Sequence, residues 1–110
     1  MTVSDEYLIY VIDQLECIGP VHSRRMFGGA GLYFDGLFFA LIADDILYFK
    51  VDDSNRPDFE TADMGPFKPF PDKPTVMQYY EVPIDVLENK NTLRQWAEKA
   101  VEVARRKADK

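Results

Sequence analysis

The sequence predicts an α+β domain of two layers, a mostly antiparallel sheet of about five strands with helices packed on one face. Three observations predict it. Apolar residues recur at helical spacing near both ends, and aromatic and β-branched runs separated by turn residues fill the region between. No shift of composition marks a boundary, so residues 1–110 read as one domain.

Ser4 followed by Asp5 and Glu6 reads as a helix start, a hydroxyl to cap free amides and two acids to complement the helix dipole. Leu8, Val11, Ile12, Leu15 and Ile18 give that helix one apolar face from about residue 5 to 18, and Gly19-Pro20 ends it. A strand through Ser23 to Phe27 is expected next. Gly28, Gly29 and Gly31 suggest a bend or bulge after it. Asp35-Gly36 between Leu32-Tyr33-Phe34 and Leu37-Phe38-Phe39 is the preferred pair for a type I′ hairpin, and Asp44-Asp45 divides Phe38–Ala43 from Ile46–Val51. A short helix is expected near 54–62, with Pro57 in its first turn. Four prolines make residues 65–74 a loop, Thr75–Val82 is strand-like, and Ile84–Leu87 is one helical turn. Asn91 or Thr92 is expected to cap a last helix with the face Leu93, Trp96, Ala97, Ala100, Val101 and Ala104.

At 46% hydrophobic and 14% aromatic content the chain can bury a core without a disulfide or a structural metal. The single Cys17 forms no internal disulfide and points to a reducing compartment. The longest apolar run, Leu37–Ala43, is too short to span a membrane and the first residues are acidic, so a cytoplasmic protein is expected. The net charge of -6 disfavours nucleic acid and acidic membranes as partners. That charge is uneven: residues 1–63 hold 12 acids and 4 bases, whereas residues 64–110 hold 7 acids and 9 bases.

The inventory for catalysis is thin. His22 is the one histidine and reads more simply as a polar residue at a strand edge than as a base. Cys17 falls at a helix C-terminus, the wrong end to stabilise a thiolate. An EF-hand loop begun at Asp53 fails at Asp58 and Met64, and the glycines at 28, 29 and 31 match no nucleotide-binding pattern. No metal or cofactor is expected, and a small enzyme built on Arg24, Arg25 and His22 near the glycine bend is only the lesser alternative to a non-enzymatic module. Arg105, Arg106 and Lys107 could touch nucleic acid, but basic residues in a last turn also complement the dipole. Adjacent aromatic pairs in the strands put rings on both faces of the sheet, and one surplus face suggests a homodimer or a protein partner. The surface candidates are Arg24, Arg25, Lys50, Tyr79 and Tyr80, with Met26, Phe27, Gly28 and Gly29 beside the two arginines. Alternation sends Arg24 and Arg25 to opposite faces.

An ordered series of motifs carries a family resemblance. Arg25-Met26-Phe27-Gly28-Gly29-Ala30-Gly31-Leu32-Tyr33, Asp35-Gly36 with Phe39-Ala40-Leu41-Ile42-Ala43, Leu47-Tyr48-Phe49-Lys50-Val51-Asp52, and Tyr79-Tyr80-Glu81-Val82-Pro83 resemble the N-terminal domain of the TfoX/Sxy family, over the stretch from Tyr7 to Ala104. The resemblance implies a two-layer α+β domain without a catalytic set. It also implies a link to regulation of competence for DNA uptake, in which full-length members act with the cyclic-AMP receptor protein at promoters. Only the first domain of those regulators is matched, so a stand-alone interaction module with a transcription-regulator partner is the expectation.

Overall fold

A computed structural model of the chain describes residues 4–26, 29–66 and 78–108. Helix α1 spans Asp5–Leu15, where the Ser4 hydroxyl accepts a hydrogen bond from the Tyr7 amide at 3.2 Å and Asp5 and Glu6 occupy the first turn. It buries Leu8, Val11 and Leu15. The α-helix is shorter than the sequence predicts, because Glu16–Ile18 tighten into a 3-10 turn closed by the Gly19 amide on the Glu16 carbonyl. Gly19 has φ 125°, and a Cβ there would lie 2.8 Å from the Phe34 ring, so both backbone and neighbour require glycine.

Five antiparallel strands follow in the spatial order of the chain: β1 His22–Met26, β2 Gly29–Phe34, β3 Leu37–Ala43, β4 Ile46–Lys50 and β5 Tyr79–Glu81. The β2–β3 turn has φ 53° at Asp35 and 77° at Gly36, and the β3–β4 turn has 53° at Asp44 and 56° at Asp45. Positive φ at both central residues matches the right-handed twist of the strands, and aspartate tolerates it better than most side chains. The sequence places an irregularity at the glycines, but Gly29 and Gly31 are regular β2 residues paired with Met26 and Arg24, and Gly28 lies outside the described residues. The register shift falls instead between Leu32 and Tyr33, which pair with Ala40 and Phe38 and leave Phe39 as the extra residue of β3. Phe39 and Ala40 are consequently both buried, and Phe38 and Leu41 fall on the opposite face.

Helix α2, Arg56–Thr61, has Pro57 in its first turn and buries Phe59. Asn55 before it is 1% exposed; its side-chain amide donates to the Lys50 carbonyl at 3.1 Å and its oxygen accepts from the Asp52 amide at 2.9 Å. The loop expected at 65–74 is described only at Gly65 and Pro66, where the Gly65 carbonyl accepts from the Glu81 amide and Pro66 bridges Tyr80. The strand expected over 75–82 is confined to Tyr79–Glu81, with a bend at Gln78, and 75–77 lie outside the described residues. Helix α3 spans Ile84–Leu87 and α4 spans Lys90–Ala108. The α4 cap is Asn89 rather than Asn91 or Thr92, since the Asn89 side-chain oxygen accepts from the Thr92 amide at 3.2 Å.

One core joins the helices to a single face of the sheet. Leu8, Val11 and Leu15 of α1 and Leu93, Ala97, Ala100, Val101 and Ala104 of α4 pack with Ala30, Leu32, Phe39, Ile42, Leu47 and Phe49. Phe59 extends it, meeting the half-buried Trp96 edge to face at 4.7 Å.

Candidate functional site

Residues paired across an antiparallel ladder share a face, so the register fixes what the sheet turns away from its helices. Arg24 pairs with Gly31, His22 with Tyr33, Tyr33 with Phe38, Leu41 with Tyr48, and Lys50 with Tyr79. This outer face is not bare. Ala43 and Tyr79 are buried, and Phe38, Leu41 and Tyr48 pack half-buried around them. Tyr33 stacks on Phe38 with ring centres 5.1 Å apart and planes 24° from parallel, and Phe38 meets Tyr79 at 5.7 Å. The Lys50 ammonium lies 5.5 Å from the centre of the Phe38 ring and 5.7 Å from that of Tyr79. A cation over two ring faces is worth about 0.5–2 kcal/mol, the larger value applying when water is excluded.

Electrostatics follow the burial. Desolvation pushes the Tyr79 phenol up to about 12, with Tyr33 beside it adding to the shift. Burial also raises Tyr48, reinforced by Glu81 and Asp44, and lowers Lys50, reinforced by Lys107. The outer face therefore holds neutral phenols around one partly desolvated ammonium, an arrangement suited to binding rather than to proton transfer near neutral pH.

The predicted surface residues divide between the faces. Arg24, Lys50 and Tyr79 share the outer one. Arg25 points to the helix side and pairs with Asp5 of α1, and Tyr80 packs on Phe59 at 5.8 Å on that same side. Alternation thus separates the two arginines and the two tyrosines alike. Gly29 is buried at the start of β2, where a Cβ would meet the Ile42 carbonyl oxygen at 2.3 Å, so close backbone approach alone requires glycine. Met26 ends β1, and Phe27 and Gly28 lie outside the described residues. Tyr33, Phe38, Leu41 and Tyr48 also lie on the outer face and are missing from the sequence-derived set; for the three aromatics the signal was the doubled ring, one for each face, and Leu41 carried none.

The basic end of α4 folds back on the domain. Arg106 donates to the Asp52 carboxylate at 3.0 Å and to the Ser54 hydroxyl at 2.7 Å, and Arg105 pairs with Glu102 at 3.2 Å, while Lys107 is exposed. Burial raises the Asp52 carboxyl, but the hydrogen bonds from Ser54 and Arg106 outweigh it and bring it down to about 2. His22 is exposed at the start of β1. Burial pushes the Cys17 thiol up, away from thiolate reactivity. Two clefts, of about 260 Å³ between the 3-10 turn, β2 and α4 and about 230 Å³ between α1, β4 and α3, are lined by neither residue. Among the described residues no group of three histidine, cysteine, aspartate or glutamate side chains could hold a metal, and no helix is long and apolar enough to cross a membrane.

The family model of the TfoX N-terminal domain matches residues 13–104. The chain belongs to the TfoX N-terminal domain family. Comparison with curated proteins gives no match. The matched stretch takes in all five strands, α2, α3 and most of α4, so the outer face of this TfoX N-terminal domain lies wholly inside it. The family is in general a non-catalytic one, and membership suggests a regulatory role of the TfoX type.

Proposed function

We propose that this TfoX N-terminal domain is a non-enzymatic, cytoplasmic protein-binding module that regulates transcription, competence genes included, as a homodimer holding a transcription-regulator partner. The observation that carries the reading is the outer face: a row of Tyr33, Phe38 and Tyr79 under Lys50, with Arg24 on the same side, in a domain of this family. Partly exposed aromatics, here Tyr33 and Phe38, and an exposed arginine, here Arg24, are enriched in protein-binding surfaces. Any effect on DNA is exerted through the partner, since Arg105 and Arg106 are engaged within the domain.

The test is the mass in solution by analytical ultracentrifugation, together with binding to purified cyclic-AMP receptor protein. The wild type is expected to be a dimer that binds, and Phe38→Glu to weaken both properties. Arg24→Glu, at an exposed site remote from the core, separates surface effects from folding. A wild type that stays monomeric at high concentration and fails to bind overturns the proposal.

A further inference from the structure

A second surface lies where α1, the start of β4 and α3 enclose the cleft of about 230 Å³, with Glu81 of β5 at its rim. Its apolar walls come from Tyr7, Tyr10, Leu87 and Ile84. Ile84 is 67% exposed and Tyr10 39%, and these are two of the three large hydrophobic side chains that the described residues leave in water. An isolated exposed isoleucine needs no explanation, but two such residues lining one cleft form a patch.

The rim is anionic. Asp45, Glu81 and Glu88 line the cleft, and no described residue lining it is basic. The Asp45 carboxylate accepts the Ser4 amide at 2.8 Å, whereas Glu81 and Glu88 form no ion pair among the described residues. Tyr7 reports the same field: burial pushes its phenol up to about 12 against a hydrogen bond from the Leu47 backbone, and Asp45 and Glu81 add to the rise. Three carboxylates line one cleft with no lining base to offset them, and an incoming cation relieves their repulsion.

We infer that this cleft docks a basic, amphipathic segment of a protein partner, one apolar side chain entering between Tyr10 and Ile84 and flanking lysines or arginines meeting Glu81 and Glu88. Apolar contact supplies affinity and the acidic rim supplies orientation and association rate. The inference rests on the reading of the domain as protein-binding, but its cleft is lined by none of Tyr33, Phe38, Lys50 and Tyr79.

The probe is an amidated model peptide that forms a helix with leucines on one side and lysines on the other, beside a counterpart with glutamate in place of lysine. Titrated into the 15N-labelled full chain, the basic peptide is expected to shift amide signals of Tyr7, Tyr10, Ile46, Ile84 and Glu88, and the acidic one to shift none. Calorimetry is expected to show affinity weakened about tenfold or more, equivalent to about 1.4 kcal/mol or more, in Y10E/I84E. Both sites are exposed, so the fold tolerates the change. E81Q/E88Q is expected to flatten the salt dependence. Shifts scattered over distant acids such as Asp35, Asp53 and Asp63, equal affinity in Y10E/I84E, equal binding of the acidic peptide, or no binding overturns the inference. Ultracentrifugation of Phe38→Glu separates the two proposals: if it still breaks a dimer while the peptide arm fails, the cleft is wrong and the protein-binding reading stands.

Discussion

The two faces of the sheet are built from neighbouring residues of the same kind and end in different physical states. Phe39 faces the helices and is fully buried; Phe38, one position earlier, faces outward and stays half-buried beneath Lys50. Tyr48 and Phe49 divide in the same way, whereas Tyr79 and Tyr80 reverse the burial, the outward Tyr79 buried and the inward Tyr80 half-buried. Most phenols go outward and most plain rings inward: Tyr33, Tyr48 and Tyr79 oppose Phe34, Phe39 and Phe49. A hydroxyl buried without a partner costs about 1–3 kcal/mol, so a face that keeps some water tolerates tyrosine better than the core does. The helix face is thus specified by packing, and the outer face by what can remain partly wet.

Substitution of each neighbour is the most direct way to break that contrast. Phe39→Ala is expected to cost about 3–5 kcal/mol in urea unfolding, because a fully buried ring leaves a cavity among Leu32, Ile42 and Phe49. Phe38→Ala is expected to cost about 1 kcal/mol and to affect association more than folding; equal losses at the two sites would erase the distinction. Between them in size is Gly29→Ala, expected to cost about 1–3 kcal/mol because the new methyl collides with the Ile42 backbone and forces β2 from β3.

The smallest effect is spectroscopic. Tyr7 and Tyr79 are expected to ionise near pH 12 in an ultraviolet titration, later than an ordinary phenol at 10.0. Between those values the folded chain holds protons the unfolded chain has lost, so their contribution is complete below pH 10 and is lost as pH rises toward 12. Tyr79→Phe is expected to remove one of the two late transitions, and a titration with every phenol near 10 would contradict the burial of the outer face.

The fold was legible because its signals are local. Asp35-Gly36 and Asp44-Asp45 dictate their own turns, and the faces of α1 and α4 repeat at helical spacing over several turns. The bulge at Phe39 was not legible, since every residue of Leu37–Ala43 is apolar and no alternation exists in which to see a slip. Arg24, Lys50 and Tyr79 were picked out by residue type as surface candidates, yet Tyr79 is buried and the grouping of the three on one face depends on strand register. Arg25 with Asp5 and Arg106 with Asp52 are separated by 20 and 54 positions, and nothing in either segment names its partner. The same holds for the cleft that joins Tyr10 to Ile84.

Strand β1 is one border of the described sheet, with Arg24 at the midpoint of its five residues. Were two molecules to zip their borders together around a two-fold axis there, Arg24 would confront its own copy, and like charges directly across a ladder oppose pairing. The charge at that midpoint thereby guards the border against growth of one continuous sheet and leaves no template for a fibre there.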